Sequence, residues 1–280
     1  MKAQDSKLER AIEQMDLDRG GRSFSDMFED FLDLALLLMC NNPSERQKEL
    51  YAKLKQDDRK VSAFQDALKA YGELAEGYHD PLGEMFMERI SHGNNGQFFT
   101  PEHICDFMAE ITDPVGESIN DPTCGSGRLL LSGLKKARKN GQEPVLNGND
   151  LSYTCARMTL LNLLINCARG DVSCGDGLML KTKNFLFYHI DRVWVGTWVS
   201  TYWQYTDETM AEVNEMRNKW YRDMLSNGVL VERIPRKDEA VEAQKPFPDE
   251  PETKEQPVEQ LEAKPKATAV QLDLFEQFEN

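Results

Sequence analysis

Asp121-Pro122-Thr123-Cys124-Gly125-Ser126-Gly127 is the stretch on which the reading of the fold turns. It stands between a strand-like run, Ser118–Asn120, and a helical segment, 127–139. Its glycines let the backbone turn tightly and approach a ligand closely. A helix that begins near Gly127 aims its free N–H groups at whatever occupies the turn. The loop fits neither G-x-G-x-x-G nor G-x-x-x-x-G-K-[ST], so taken alone it is a weak signal.

The flanking pieces strengthen it. Upstream lies Gly96-Gln97-Phe98-Phe99-Thr100-Pro101. Downstream, the run Val145–Gly148 leads into Asn149-Asp150, an acid placed to accept hydrogen bonds from ribose hydroxyls. A third run, Val172–Cys174, ends in Gly175-Asp176-Gly177, where Asp176 is either an acceptor for an adenine amino group or an ordinary turn acid. Three strand ends in order, each with glycine or a carboxylate, describe a pocket at the carboxyl edge of a parallel sheet. Two more strand-like runs, Arg192–Val195 and Val229–Ile234, and helical segments at 102–112, 127–139, 152–167 and 207–225 complete an α/β pattern with helices on the faces of the sheet.

The pair G-Q-F-F-T-P and D-P-T-C-G-S-G, in that order about 20 residues apart, resembles the amino-methyltransferases of type I restriction-modification systems and related phage and mobile-element adenine methylases. The helix Asp150–Asn162 is similar to the one that follows the family's second strand. The resemblance implies a Rossmann-like S-adenosylmethionine-dependent methyltransferase sheet acting on the adenine amino group of DNA. It further implies that Gln97, Phe98, Phe99, Thr100, Pro101 and Glu102 contact the methionine end of the cofactor, with one phenylalanine in the core. Asp121, Gly125, Ser126, Gly127 and Arg128 then line the loop, Asp150 binds the ribose and Asp176 the adenine.

One motif departs from the family. Its chemistry sits after the fourth strand in Asn/Asp-Pro-Pro-Tyr/Phe, which accepts from the amino group and stacks on a flipped base. This chain has no Pro-Pro. With Asp191–Val195 as the fourth strand, the motif position falls on Val195-Gly196-Thr197-Trp198. Trp198 then occupies the stacking place and Thr197, or Asp207 further on, substitutes as acceptor. Trp198, Tyr202, Trp203 and Tyr205 either stack on an unpaired base or close the edge of the sheet. Two functions remain: a DNA adenine methyltransferase, or a catalytically impaired module that keeps the cofactor fold and acts as an adaptor. The sheet is read as truncated, and no segment is left for target recognition, so specificity is expected from a partner subunit.

Residues 1–90 read as helical, with Ser23 and Ser44 as N-caps and Asn41-Asn42-Pro43 as a stop. The methyltransferase-like domain is expected over 91–234. Residues 235–280 hold twelve acids and six bases with repeated prolines, so 235–268 is expected to be a disordered linker. It leads to a peptide at 269–280 in which Gln271-Leu272-Asp273-Leu274-Phe275 resembles the pentapeptide by which bacterial proteins bind the replication sliding clamp.

The net charge of −15 argues against coating DNA by bulk electrostatics. The cluster Arg128, Lys135, Lys136, Arg138 and Lys139 reads as a solvated helix face more readily than as a phosphate track. The six cysteines form no C-x-x-C pair and no metal-ligand spacing, which suits free thiols in a reducing cytoplasm and no metal. No signal peptide or membrane span is expected.

Overall fold

The computed structural model describes residues 5–18, 20–91, 98–113, 118–177, 186–194 and 197–226. The chain divides into two units, Met1–Glu232 and Arg233–Asn280. The strand expected at Val229–Ile234, the linker and the clamp-binding peptide lie outside the described residues.

Five helices open the chain: α1 (Asp5–Gln14), α2 (Phe24–Leu37), α3 (Glu45–Leu54), α4 (Asp58–Ala75) and α5 (Pro81–Phe86), the last continued by a π-helical turn, Met87–Ser91. Ser23 and Ser44 each form a capping box, with Asp26 and Gln47, so the first N–H groups of α2 and α3 are satisfied locally. Phe31 of α2 meets Phe64 and Tyr71 of α4 edge-on, with centroids 6.3 and 6.2 Å away. α2 also carries two buried acids. Arg46 spans Asp30 (3.1 Å) and Asp33 (2.6 Å).

The remaining elements are α6 (Glu102–Thr112), β1 (Ser118–Asp121), α7 (Arg128–Lys139), β2 (Val145–Asp150), α8 (Tyr153–Ile165), β3 (Arg169–Cys174), β4 (Leu186–Trp194), β5 (Trp198–Thr206) and α9 (Met210–Ser226). The sheet order is β1-β2-β3-β4-β5. Ten consecutive residues of α8, Cys155 to Leu164, are buried, which makes it the central post of the unit. Its polar members each have a task. Arg157 reaches Asp33 (2.7 Å) and Glu29 on α2, Thr159 donates to the Gly125 carbonyl (2.9 Å), and Asn162 accepts from the Tyr71 hydroxyl (2.8 Å). Burial lowers the Arg157 pKa to about 10, which leaves it protonated at neutral pH.

The sheet departs from the expected pattern at its second half. β1, β2 and β3 are parallel, but β4 runs antiparallel to β3 and β5 antiparallel to β4. The connections account for this. Eleven residues separate β3 from β4 and three separate β4 from β5, whereas a parallel return needs a crossover of a dozen or more. The run Trp198–Thr206, read as an aromatic cluster, is a strand. The edge of β5 is partly covered: Asn41 N–H donates to the Tyr202 carbonyl and Tyr202 N–H to the Met39 carbonyl (both 2.9 Å). Asn41-Asn42-Pro43 thus ends a helix and also seals a sheet edge.

Helices do not cover both faces equally. α7 and α8 pack on one face, and α9 lies against β5 on the other, with Trp220 edge-on to Trp203. Over β1–β3 that second face carries Asn120, Asn147, Asn149, Asp171 and Ser173. Asn147 donates to Asn120 (2.7 Å) and Ser173 to Asn149 (2.8 Å). No helix stands on it among the described residues, and its side chains suit water.

His189 on this face bridges Asp171 (2.6 Å) and Asp191 (3.1 Å). Burial disfavours its charged form, but the two carboxylates outweigh that and raise its pKa from 6.5 to about 9. A raised folded-state pKa gives stability that is fully present below the unfolded value and lost as pH rises through the folded one. Unfolding free energy by urea titration is therefore expected to fall by about 3 kcal/mol between pH 6 and pH 10 through this group. His189→Gln removes that part of the slope; equal slopes in the two proteins would show that the bridge does not titrate as argued.

Candidate functional site

The strand ends of β1, β2 and β3 meet at one edge, and backbone hydrogen bonds lock them together. Cys124 N–H donates to the Asn149 carbonyl (2.8 Å) and Gly175 N–H to the Asp150 carbonyl (3.0 Å). The Asp150 carboxylate accepts from Gly125 N–H (2.9 Å) and from Ser152 N–H (2.8 Å), so one side chain fixes both the glycine loop and the start of α8. Asp121 accepts from Thr123 N–H (3.1 Å). Its pKa is raised, first by burial and also by the nearby Asp150, with the Thr123 bond opposing. Gly125 and Gly127 have φ of +57° and +86°, the left-handed region that side chains strain to adopt. A Cβ on Gly125 would stand 3.0 Å from the Phe99 ring, and one on Gly127 3.0 Å from Thr159.

Beneath the loop lies Asp80, which is 1% exposed. Its carboxylate accepts from Gly83 N–H (2.9 Å), Asn162 Nδ2 (2.8 Å), Arg128 Nε (3.2 Å) and the Ser126 hydroxyl. Asn162 also donates to the Ser126 carbonyl (2.9 Å). The side chains of Ser126 and Arg128 therefore turn down to a buried carboxylate. The expectation placed them along the loop, and these bonds show where their side chains are held.

The other expected residues separate as follows. Phe99 stacks on Phe86 (5.7 Å) and is the core member of its pair, while Phe98 is 75% exposed. Thr100 is exposed and its carbonyl accepts from Arg128 Nη1 (3.4 Å). Pro101 precedes the first residue of α6, and Glu102 pairs with His79 (2.7 Å). Asp176 follows Gly175 at the same edge as Asp150. Gln97 lies outside the described residues.

Trp198 and Thr197 do not join this group. Because β4 is reversed, its end at Trp194 lies at the amino edge of the parallel strands, and Trp198 pairs with Trp194 there. The Trp198 carbonyl accepts from the Cys167 thiol (3.3 Å), and Arg192 lies over its ring (4.7 Å). Val195 and Gly196 lie outside the described residues. Tyr202 and Trp203 are buried, so they do not offer faces to a base. The aromatic pair at the pocket's edge is Phe187–Tyr205, stacked with centroids 5.5 Å apart. Leu151, 75% exposed directly after Asp150, is a second feature the pattern reading passed over; an apolar residue after a strand-end acid, outside any core periodicity, was its signal. Three cations of α7 are engaged: Lys135 with Asp106, Lys136 with Glu110 and Arg138 with Glu143.

The N-6 DNA methylase family profile matches residues 80–224, just over half of the chain. The chain belongs to this family. It is 36% identical over 84 residues to the type I restriction enzyme MjaIX methylase subunit of Methanocaldococcus jannaschii, covering 29% of this chain and 15% of that one. It is 27% identical over 167 residues to the MpnII methylase subunit of Mycoplasma pneumoniae, covering 57% and 29%. The matched stretches thus span less than a third of either relative. Among solved structures, a Listeria monocytogenes protein assigned to the class I S-adenosylmethionine-dependent methyltransferases aligns over 64% of this chain and 55% of its own, at 15% identity and a TM-score of 0.45. That score is low, and membership rests on the sequence match.

The match begins at Asp80. Asp80→Ala leaves four donors facing an apolar gap and is expected to lower unfolding free energy by about 3–5 kcal/mol, read by denaturant titration. A loss below about 1 kcal/mol, the size of an ordinary surface change, would contradict the role given to this carboxylate.

Proposed function

We propose that the chain binds S-adenosylmethionine at the carboxyl edge of β1–β3 and serves methylation of the adenine amino group in DNA. The observation that carries this reading is the Asp150 carboxylate, held by Gly125 N–H and Ser152 N–H at the mouth of the glycine loop. The residues suit the cofactor's chemistry. Asp150 and Asp176 are acceptors for ribose hydroxyls and an adenine amino group, Leu151 offers a flat apolar surface beside them, and Asp121 stands near the loop for an ammonium. Thr100, with Phe98 and Phe99, is assigned to the methionine end. When bound, the cofactor supplies an electrophilic methyl group on a sulfonium. The chain's own part is to hold it and to keep the glycine loop rigid from beneath.

Base stacking falls to Phe187 and Tyr205, which stand at the pocket's edge of the sheet, in place of Trp198. DNA is the partner, with target choice left to a specificity subunit, and the setting is the cytoplasm. A second reading keeps cofactor binding without transfer. It is favoured by the reversal of β4, which takes Trp194 and Trp198 to the opposite edge. Transfer of labelled methyl groups to mixed bacterial DNA, with and without a specificity partner, separates the two. The leading reading expects transfer that falls at least tenfold in Tyr205→Ala and stays within about threefold in Trp198→Ala. Cofactor binding with no transfer under any condition would establish the adaptor.

Calorimetric titration is expected to give S-adenosylmethionine binding weakened at least about tenfold by Asp150→Ala, one lost hydrogen bond being worth about that much. Unchanged affinity would end the assignment of this pocket. The proposed tether, Gln271–Phe275 at the end of the proline-rich linker, acts by raising local concentration at clamp-loaded DNA. Truncation after Ala269 is expected to abolish co-purification with a bacterial sliding clamp and to leave cofactor affinity unchanged; continued co-purification would remove the tail from the account.

A further inference from the structure

Asn149 is the penultimate residue of β2, one before Asp150. Consecutive strand residues point to opposite faces, so its side chain lies on the polar face behind the pocket. There its amide bridges three strand ends. Nδ2 donates to the Pro122 carbonyl beyond β1 (3.2 Å) and to the Gly175 carbonyl beyond β3 (3.2 Å), while Oδ1 accepts from the Ser173 hydroxyl (2.8 Å). The two carbonyls fix which end of the amide is nitrogen, and they use both of its hydrogens. An ionised aspartate of the same shape has no donor, and a serine has one. Each carbonyl belongs to a peptide that serves an acid. A peptide is planar, so holding its carbonyl sets the direction of its N–H. The Pro122 carbonyl shares a plane with the Thr123 N–H, which donates to the Asp121 carboxylate (3.1 Å). The Gly175 carbonyl shares a plane with the Asp176 nitrogen, from which that residue sets out. Gly177 comes close to the same amide: a Cβ there would stand 3.1 Å from Asn149 Nδ2 and 3.7 Å from the Pro122 carbonyl. Asp176 thus stands between one glycine bonded to Asn149 and another packed near it.

On the reading that S-adenosylmethionine binds at this edge with Asp176 toward its adenine, we propose that Asn149 is a positioning residue for recognition of that base. It sets the Gly175–Asp176 peptide so that the Asp176 carboxylate meets the 6-amino group. It acts through the two peptides it holds and not by contact, because its side chain is turned to the reverse face. The amino group matters as a donor. A carboxylate accepts from it, whereas the 6-oxo group of an inosine analogue sets oxygen against oxygen. A carboxylate that is out of place loses this difference before binding is lost, because the ribose contact is fixed separately: Asp150 is held by Gly125 N–H (2.9 Å) and Ser152 N–H (2.8 Å), neither of which depends on the Asn149 side chain. The geometry therefore separates affinity, set at Asp150, from choice of base, set through Asn149.

Calorimetric titration of the full chain with S-adenosylhomocysteine and with S-inosylhomocysteine tests this. The parent is expected to bind the adenosine form at least about tenfold more tightly. Asn149→Asp keeps the shape and the acceptor for Ser173 but sets a carboxylate against the two carbonyls. Its discrimination is expected to fall below about threefold, with the inosine form weakened by no more than about threefold. Asn149→Ala, which removes the amide without adding charge, is expected to act in the same direction, and circular dichroism checks that each variant is folded. Discrimination kept at the parent's level in both variants would overturn the proposal and leave the pocket in place. Equal weakening of both ligands, or loss of the fold in both variants, would make Asn149 a structural residue only and overturn it as well. A parent that binds neither ligand would remove the cofactor reading itself, and one that binds both alike would remove Asp176 from the adenine; either result takes the proposal with it.

Discussion

A carboxylate that is almost wholly removed from water must be surrounded by donors, and Asp80 collects them from three separate parts of the chain. Gly83 is its neighbour in sequence, Ser126 and Arg128 come from the glycine loop, and Asn162 comes from the middle of α8. The N-terminal helices are therefore not an appendage to the sheet. They supply the buried acid that holds the loop from below, while Asp150 holds it from the side. The second tie, Arg157 to Asp33 and Glu29, fastens α2 to the same helix. Two buried polar clusters thus tie α8 to the glycine loop and to α2. A missing partner in either leaves a charge in an apolar setting, which costs more than the cluster contributes when whole.

The second half of the sheet has a different logic. After β3 the chain turns back on itself, and β4 and β5 carry Tyr188, Tyr202 and Trp203 into the core or against α9. This closes the sheet with few residues and leaves the face over β1–β3 without a helix among the described residues. That face has become a set of hydrogen-bonded asparagines and serines.

The arrangement of the strand ends was legible because its signals are local. Glycine and acids at successive strand ends give the same reading whether the sheet is seen or not, and Ser23 and Ser44 cap the helices that their spacing announces. What was not legible depends on distance along the chain. The direction of β4 is set by the length of its connections and by its partner, not by the composition of Asp191–Val195. That direction moved Trp198 and Thr197 to the far edge. Ser126 and Arg128 sit within the glycine motif, but the atom that claims their side chains belongs to a residue more than forty positions earlier. The strand at Trp198–Thr206 did leave a mark, an alternation of aromatic and β-branched residues, which competed with its reading as a stacking cluster.

The central claim is that the functional pocket lies at the edge formed by the glycine loop, Asp150 and Asp176, and not at the edge that holds Trp198. Amide hydrogen exchange with and without S-adenosylmethionine addresses it directly. The account predicts that cofactor slows exchange at 123–129, 150–152 and 175–177 and leaves 197–200 unchanged. Protection centred on 197–200, with the glycine loop unaffected, would contradict it.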